Sequence, residues 1–221
     1  MRFRLARALL LATVLATVLA PPLRPLEAQR RGRVEIALPQ QQQLTSEGPL
    51  LRGRGVLGDG ETRDLLRSGF PARLHYRVEL WSVGGALNDL EGTSEWDVIV
   101  RFDPLRRRYE VARLLGPQVS VLGAFERLED AIAVVERPFR APISAPRLGR
   151  RYYYNTMLDV EMLSLGDLDE VERWLKGELR PAVRGKRNPG TAVTRGLRTL
   201  FARLLGGERR HYEQRSGTFR T

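Results

Sequence analysis

The hydrophobic pattern changes period along the chain. In residues 72–83, ARLHYRVELWSV, Leu74, Tyr76, Val78 and Leu80 alternate with Arg73, His75, Arg77 and Glu79, the pattern of a strand buried on one face. Residues 95–102, EWDVIVRF, repeat it with Trp96, Val98, Val100 and Phe102 against Asp97, Ile99 and Arg101. The turn DPLRRR then leads into RYEVARLL at 108–115, and the three runs predict an antiparallel meander. In GAFERLEDAIAVVERPF, residues 123–139, the period lengthens. Phe125, Leu128, Ile132 and Val135 fall on one helical face, and Pro138 stops the helix.

Weaker patterns flank these. A short strand is predicted over residues 33–38, followed by the polar linker QQQQLTSEG. GPLLRGRGVLG offers a second strand weakened by its internal glycines. DGETRDLLRSGFP reads as one or two helical turns with Asp59 as cap and Gly69 and Pro71 as the end. A connection containing Pro138, Pro142 and Pro146 then reaches LGRRYYYNTMLDVEM, residues 148–162.

Arginines set against tyrosines are the mixture that nucleic-acid channels use to hold phosphates and stack bases. Parity argues otherwise here. As a strand over 151–163, Tyr152, Tyr154, Leu158, Val160 and Met162 share one face, and Arg151, Tyr153, Asn155, Asp159 and Glu161 share the other. Two tyrosines thus continue an apolar row, and the opposite face carries acids that repel phosphate. The segment reads as a core strand, with Tyr153 left as a candidate protein-binding residue.

At the N-terminus, Arg2, Arg4 and Arg7 precede the apolar run ALLLATVLATVLA, the order of a secretory signal peptide over residues 1–28, with a mature start near Gln29. Retention as an anchor is the alternative, although the run is shorter than the roughly 20 residues that span a bilayer. The chain has no cysteine, which removes disulfides, thiolate catalysis and cysteine zinc sites. Its net charge of +11 is unevenly spread: residues 29–178 hold 22 basic against 23 acidic side chains, and residues 179–221 hold 11 against 2. The body is near neutral, so no uniformly basic nucleic-acid-binding domain is implied. The organisation predicted is a signal peptide (1–28), an antiparallel β-rich domain (29–165) and a basic helical C-terminal extension (166–221).

The extension opens with SLGDLDEVERWLKGEL, whose Ser164 and Asp167 resemble a capping box and whose acids lack the spacing of a calcium loop. After a basic linker, TAVTRGLRTLFARLLGG is again helical, with Val193, Leu197, Leu200, Phe201 and Leu204 on one stripe and Arg195, Arg198 and Arg203 outside it. Such a helix can pack on the body, dock on a partner protein or lie on an anionic membrane surface. The final ERRHYEQRSGTFRT reads as a polar, frayed end.

No metalloprotease, nucleophile-elbow, phosphate-loop or dinucleotide motif is present. Of the two histidines, His75 is expected on the solvent face of a strand and His211 in the tail, so a histidine cluster would need both. Asp97, Asp103 and Glu110 lie on neighbouring predicted strands and leave a carboxylate hydrolase of an envelope glycan as the alternative function. No catalytic, cofactor or metal residues are otherwise expected.

Four motifs in succession, LLRSGFPARLHYRVELW, RRRYEVARL, AFERLEDAIAVV and GRRYYYNTMLDVEM, resemble domain-of-unknown-function family 4390, a group of exported bacterial proteins. The resemblance covers residues 33–165. It implies an envelope location and, through neighbouring sensor histidine kinase genes, a periplasmic signalling accessory; it carries over no catalytic residue. Family members finish soon after the last strand, whereas this chain continues. The expectation is therefore an α+β protein, a mainly antiparallel sheet or sandwich-like domain with flanking helices and a helical C-terminal extension. It would act in the periplasm or at the outer face of the inner membrane by binding an envelope protein, such as a membrane sensor kinase. Arg195, Arg198, Leu200, Phe201, Arg203, Leu204 and Tyr153 are the candidate partner or membrane surface. No nucleic acid is expected.

Overall fold

A computed structural model describes residues 32–84, 87–163 and 209–221. The expected signal segment, the acidic helix after Ser164 and the basic helix bearing Arg195, Arg198, Leu200, Phe201, Arg203 and Leu204 all lie outside the described residues. The fold is mostly antiparallel β-sheet with two α-helices. A small sheet has the order β1–β2–β7, from β1 (Arg33–Ala37), β2 (Leu50–Arg54) and β7 (Phe139–Arg140). The large sheet contains β3 (Ala72–Ser82), β4 (Asp89–Asp103), β5 (Arg108–Leu115), β6 (Gln118–Phe125), β8 (Arg151–Met162), β9 (Arg209–Arg215) and β10 (Phe219–Arg220). Its order is β10–β8–β3–β4–β5–β6, with β9 also on β8. Among the described residues no helix is long and apolar enough to cross a membrane.

The expected meander is present as β3–β4–β5, and β8 pairs with the other side of β3 over eleven rungs, Ala72↔Met162 to Ser82↔Tyr152. Alternation puts Leu74, Tyr76, Val78 and Leu80 on the inner face beside Trp96, Val98 and Val100 and beside Tyr152, Tyr154, Leu158 and Val160. All belong to one buried apolar cluster that also takes Val34 and Leu51 from the small sheet, and Leu66 and Ile132 from the helices. Tyr76 stacks on Trp96 at 5.1 Å, and Phe139 meets Trp96 edge-on at 5.1 Å. Gly53 keeps β2 close to β3: a Cβ there would lie 2.6 Å from the Tyr76 hydroxyl. The glycine that weakened the strand pattern is therefore the residue this contact requires.

Helix α1 (Gly60–Arg67) begins as its cap predicts, with the Asp59 carboxylate accepting from the Thr62 N–H at 2.8 Å. Helix α2 is Leu128–Val135, shorter than its apolar period suggested, because Phe125 is the last residue of β6. The cause lies upstream. Leu115 pairs with Gln118 across the two-residue turn Gly116-Pro117, with Gly116 at φ 55°, the glycine-first order of a type II′ hairpin. That turn returns the chain as a fourth meander strand before the helix can start.

The C-terminus corrects the expectation of a frayed end. β9 pairs with residues 155–161 of β8, and β10 with Arg151 and Tyr152. Arg215 opposes Asn155 and Phe219 opposes Tyr152, so four steps on one strand meet three on the other, and the two segments form one edge strand interrupted by a bulge. Polar composition misled here because only one face of this edge needs apolar residues. Tyr212 packs against the apolar core, and Phe219 closes over Tyr154 at 5.3 Å and Tyr152 at 6.0 Å. On the inner side Arg210 donates to the Asp59 carboxylate and the Thr62 hydroxyl, tying the edge to the first turn of α1.

Phe219 is 8% exposed, so Phe219→Ala should lower the unfolding free energy by about 3 kcal/mol. Chemical denaturation of the full chain checks this, and a loss below about 0.5 kcal/mol would mean that the end is not docked.

Candidate functional site

The parity that buries Tyr152 and Tyr154 sends Arg73, His75, Arg77, Glu79 and Trp81 to the outer face of the large sheet. Register sets their neighbours. One row reads His211, Asp159, His75, Asp97, Leu114, Val119 from β9 to β6, and the next reads Arg209, Glu161, Arg73, Ile99, Ala112, Val121. In these two rows the outer face is ionic from β9 as far as β3 or β4 and apolar from there to β6.

Arg73 is the centre of the ionic half. Its side chain is 7% exposed, with Nε 2.8 Å from Asp97 Oδ1 and Nη1 2.8 Å from Glu161 Oε1. His75 lies on this face as expected, but its side chain is only 13% exposed and its Nδ1 is 2.9 Å from Asp97 Oδ1. A carboxylate only accepts, so Nδ1 carries the proton in this pair. Burial alone would raise the Asp97 carboxyl, but the hydrogen bond from His75 and the charge of Arg73 outweigh it and hold the group below the usual carboxylate range. Asp159 behaves similarly: partial burial pulls it up, while hydrogen bonds from Arg209 at 2.7 Å and His211 at 2.8 Å hold it low.

Both histidines therefore stand in one row, on either side of Asp159, a long-range pairing that no local pattern in the chain foretells. Each Nδ1 is engaged by a carboxylate, and no group of His, Asp and Glu among the described residues could hold a metal ion. The other acids considered for hydrolysis are also paired. Asp103 accepts from the Arg106 and Leu105 N–H groups, the first-named bond being the main reason its carboxyl is held low. Glu110 faces Arg101 at 2.6 Å. Glycoside hydrolysis needs one carboxyl raised to act as acid, and Asp97 and Asp103 are shifted the opposite way.

The three tyrosines have separate roles. Tyr152 and Tyr154 donate their hydroxyls to the Arg147 and Ile143 carbonyls at 3.4 and 3.2 Å, so the proline-bearing connection is pinned to the strand. Burial pushes the Tyr154 hydroxyl above its ordinary pKa. Tyr153, on the outer face, is 8% exposed. It stacks parallel to Trp81 at 6.4 Å, and the Arg215 guanidinium lies 3.5 Å over its ring. The C-terminal strand supplies this cover, and an alternating RHYEQR late in the chain was the available signal for it.

The apolar half opens at β6. Ile99, Ala112, Val119 and Val121, together with Arg101 and Glu110, line a shallow groove of about 140 Å³. Ile99 and Leu114 are buried, whereas Val119 is 38% and Val121 77% exposed. A bulge between Val111 and Ala112 interrupts the ladder, which resumes at Val111↔Gly123. Gly123 at φ 149° permits it, since a Cβ there would meet the Phe125 ring at 2.4 Å.

Comparison with protein-family models, with curated proteins and with solved structures finds no match to this chain. The resemblance over residues 33–165 rests on its motifs alone.

Arg73→Met should destabilise the fold by about 3 to 5 kcal/mol, because it removes the buried counter-charge of Glu161 and leaves Asp97 only its hydrogen bond from His75. Urea unfolding near neutral pH checks this. Acid has a related effect. Asp97 and Asp159 titrate lower in the folded chain than their ordinary value of 3.8, so their contribution is complete above that value and lost as pH falls through the depressed folded values. The unfolding free energy should therefore fall with acidification below about pH 4, and less steeply in Asp159→Asn.

Proposed function

We propose that this chain is an exported, non-catalytic binding protein of the bacterial cell envelope. On this reading a sandwich-like domain presents the free edge of β6 to an extended segment of an envelope protein, of which a membrane sensor kinase is the expected class. The chemistry of that edge carries the reading. Exposed sheet edges are usually guarded by charge, proline or a covering segment. Gln118–Phe125 reads QVSVLGAF, with neither charge nor proline, and among the described residues β6 pairs only with β5. Residues 118–121 precede the bulge and keep a regular ladder, so an incoming strand could complete their hydrogen bonds while its side chains enter the groove beside Val121.

Two further features support it. The acids and histidines that could serve catalysis are engaged with arginines or with one another, which suits a binding role. The arginine-led apolar run at the N-terminus and the neutral body suit export better than nucleic-acid work.

A photo-crosslinking side chain at Ser120, in intact envelopes, should capture one recurrent membrane protein, and Val121→Lys should reduce the yield several-fold. Equal capture from Leu105, at a distant turn, or a yield indifferent to Val121→Lys would contradict the assignment of the edge.

A further inference from the structure

The arginines at the start of β8 remain after the tyrosines are accounted for. Three segments meet there: the end of β3, the turn into β8, and β10. Their backbones are joined directly. Val83 N–H donates to the Arg151 carbonyl at 2.8 Å, Gly149 N–H to the Thr221 carbonyl at 3.0 Å, and Thr221 N–H to the Arg150 carbonyl at 3.1 Å. Gly149 at φ 76° makes the turn possible. Between these segments lies a cleft of about 500 Å³ whose charged lining is Arg150, Arg151 and Arg220 against Asp89.

The charges in this cleft contrast with those on the outer face. Arg151 and Arg220 are directly opposed across an antiparallel pair, an arrangement that is destabilising for like charges. No ion pair is seen for either among the described residues, while Arg150 makes a long 3.6 Å contact with Glu91. Ser82 also lines the cleft. Its side chain shares the face of Tyr152, which it opposes, so the charges left unneutralised at the cleft are the guanidinium groups of Arg151 and Arg220.

We propose that this cleft binds the phosphate group of a small phosphorylated molecule. Arg151 and Arg220 would flank the phosphate oxygens from the two paired strands, and Arg150 would add charge from the turn. Guanidinium groups match phosphate geometry in two-point contacts. The volume exceeds what a bare phosphate fills and suits an attached sugar or glycerol. Asp89, at the same cleft, would accept from hydroxyls of that attached part. The site is independent of the β6 edge, which lies at the opposite side of the sheet.

The test is calorimetric titration of the full-length protein with glucose 1-phosphate and glycerol 3-phosphate, with glucose as the uncharged control, and flotation with phosphatidylglycerol vesicles. Both phosphates should bind and glucose should not. Arg151→Gln and Arg220→Gln should each weaken binding about tenfold or more, since each removes a charged hydrogen-bond donor. Arg127→Gln, at the start of α2 and outside the cleft, should leave it unchanged. These arginines are exposed, so the variants should fold, with circular dichroism as the check. Flotation that free glycerol 3-phosphate abolishes would assign the phosphate to a lipid headgroup; titration without flotation would assign it to a soluble molecule. Absence of binding to both phosphates at millimolar concentration, or equal weakening by Arg127→Gln, would overturn the proposal.

Discussion

A buried cation must be neutralised where it stands, and Arg73 imposes that requirement on three strands at once. Asp97 reaches it from β4 and Glu161 from β8, the latter 88 residues away along the chain. Slipping β3 by one residue would turn Arg73 into the apolar cluster and Leu74 out of it, so register and charge pairing specify the same arrangement. Ion pairs of this kind add little to stability over a well-packed apolar replacement. Here the cluster instead discriminates among registers, because few alternatives would bring two carboxylates to one guanidinium.

The outer face follows from that choice. With β3 fixed, the two histidines fall on either side of Asp159, Arg215 covers Tyr153, and Ile99 and Ala112 continue toward β6. The ionic half is internally satisfied and offers little to a ligand. What it leaves available lies at its borders: an uncharged strand edge on one side and, where β8 begins, Arg151 and Arg220, which have no ion pair among the described residues. The proposed binding is assigned to these borders, with the centre committed to holding the sheet together.

Much of this was legible in the chain. Alternation identified β3, the latter half of β4, β5 and β8 and placed Tyr152 and Tyr154 inside, because a half-buried strand imposes its period locally. Asp59 marked the helix start for an equally local reason. Partners distant in sequence were not legible. Arg73, His75, Asp97 and Glu161 could be assigned to polar faces, but the register joining β3 to β8 is a long-range property. β6 was hidden because its apolar residues run into the period of α2 with only Glu126 and Arg127 between them, and Gly116-Pro117 was the one mark of the turn that starts it. β9 and β10 were hidden because an edge strand with one wet face can be largely charged. The candidate surface on the basic helix, Arg195 to Leu204, lies outside the described residues, and Tyr153 is found beneath Arg215.

The coupling between Arg73 and Glu161 is the interaction on which the central strands most depend. A double-mutant cycle with Arg73→Met, Glu161→Gln and the pair, followed by urea unfolding at neutral pH, measures it directly. The predicted result is a coupling of about 1 to 3 kcal/mol, the double variant being less destabilised than the two single losses summed. Additivity within about 0.5 kcal/mol would contradict the claim that this buried pairing holds the central strands together.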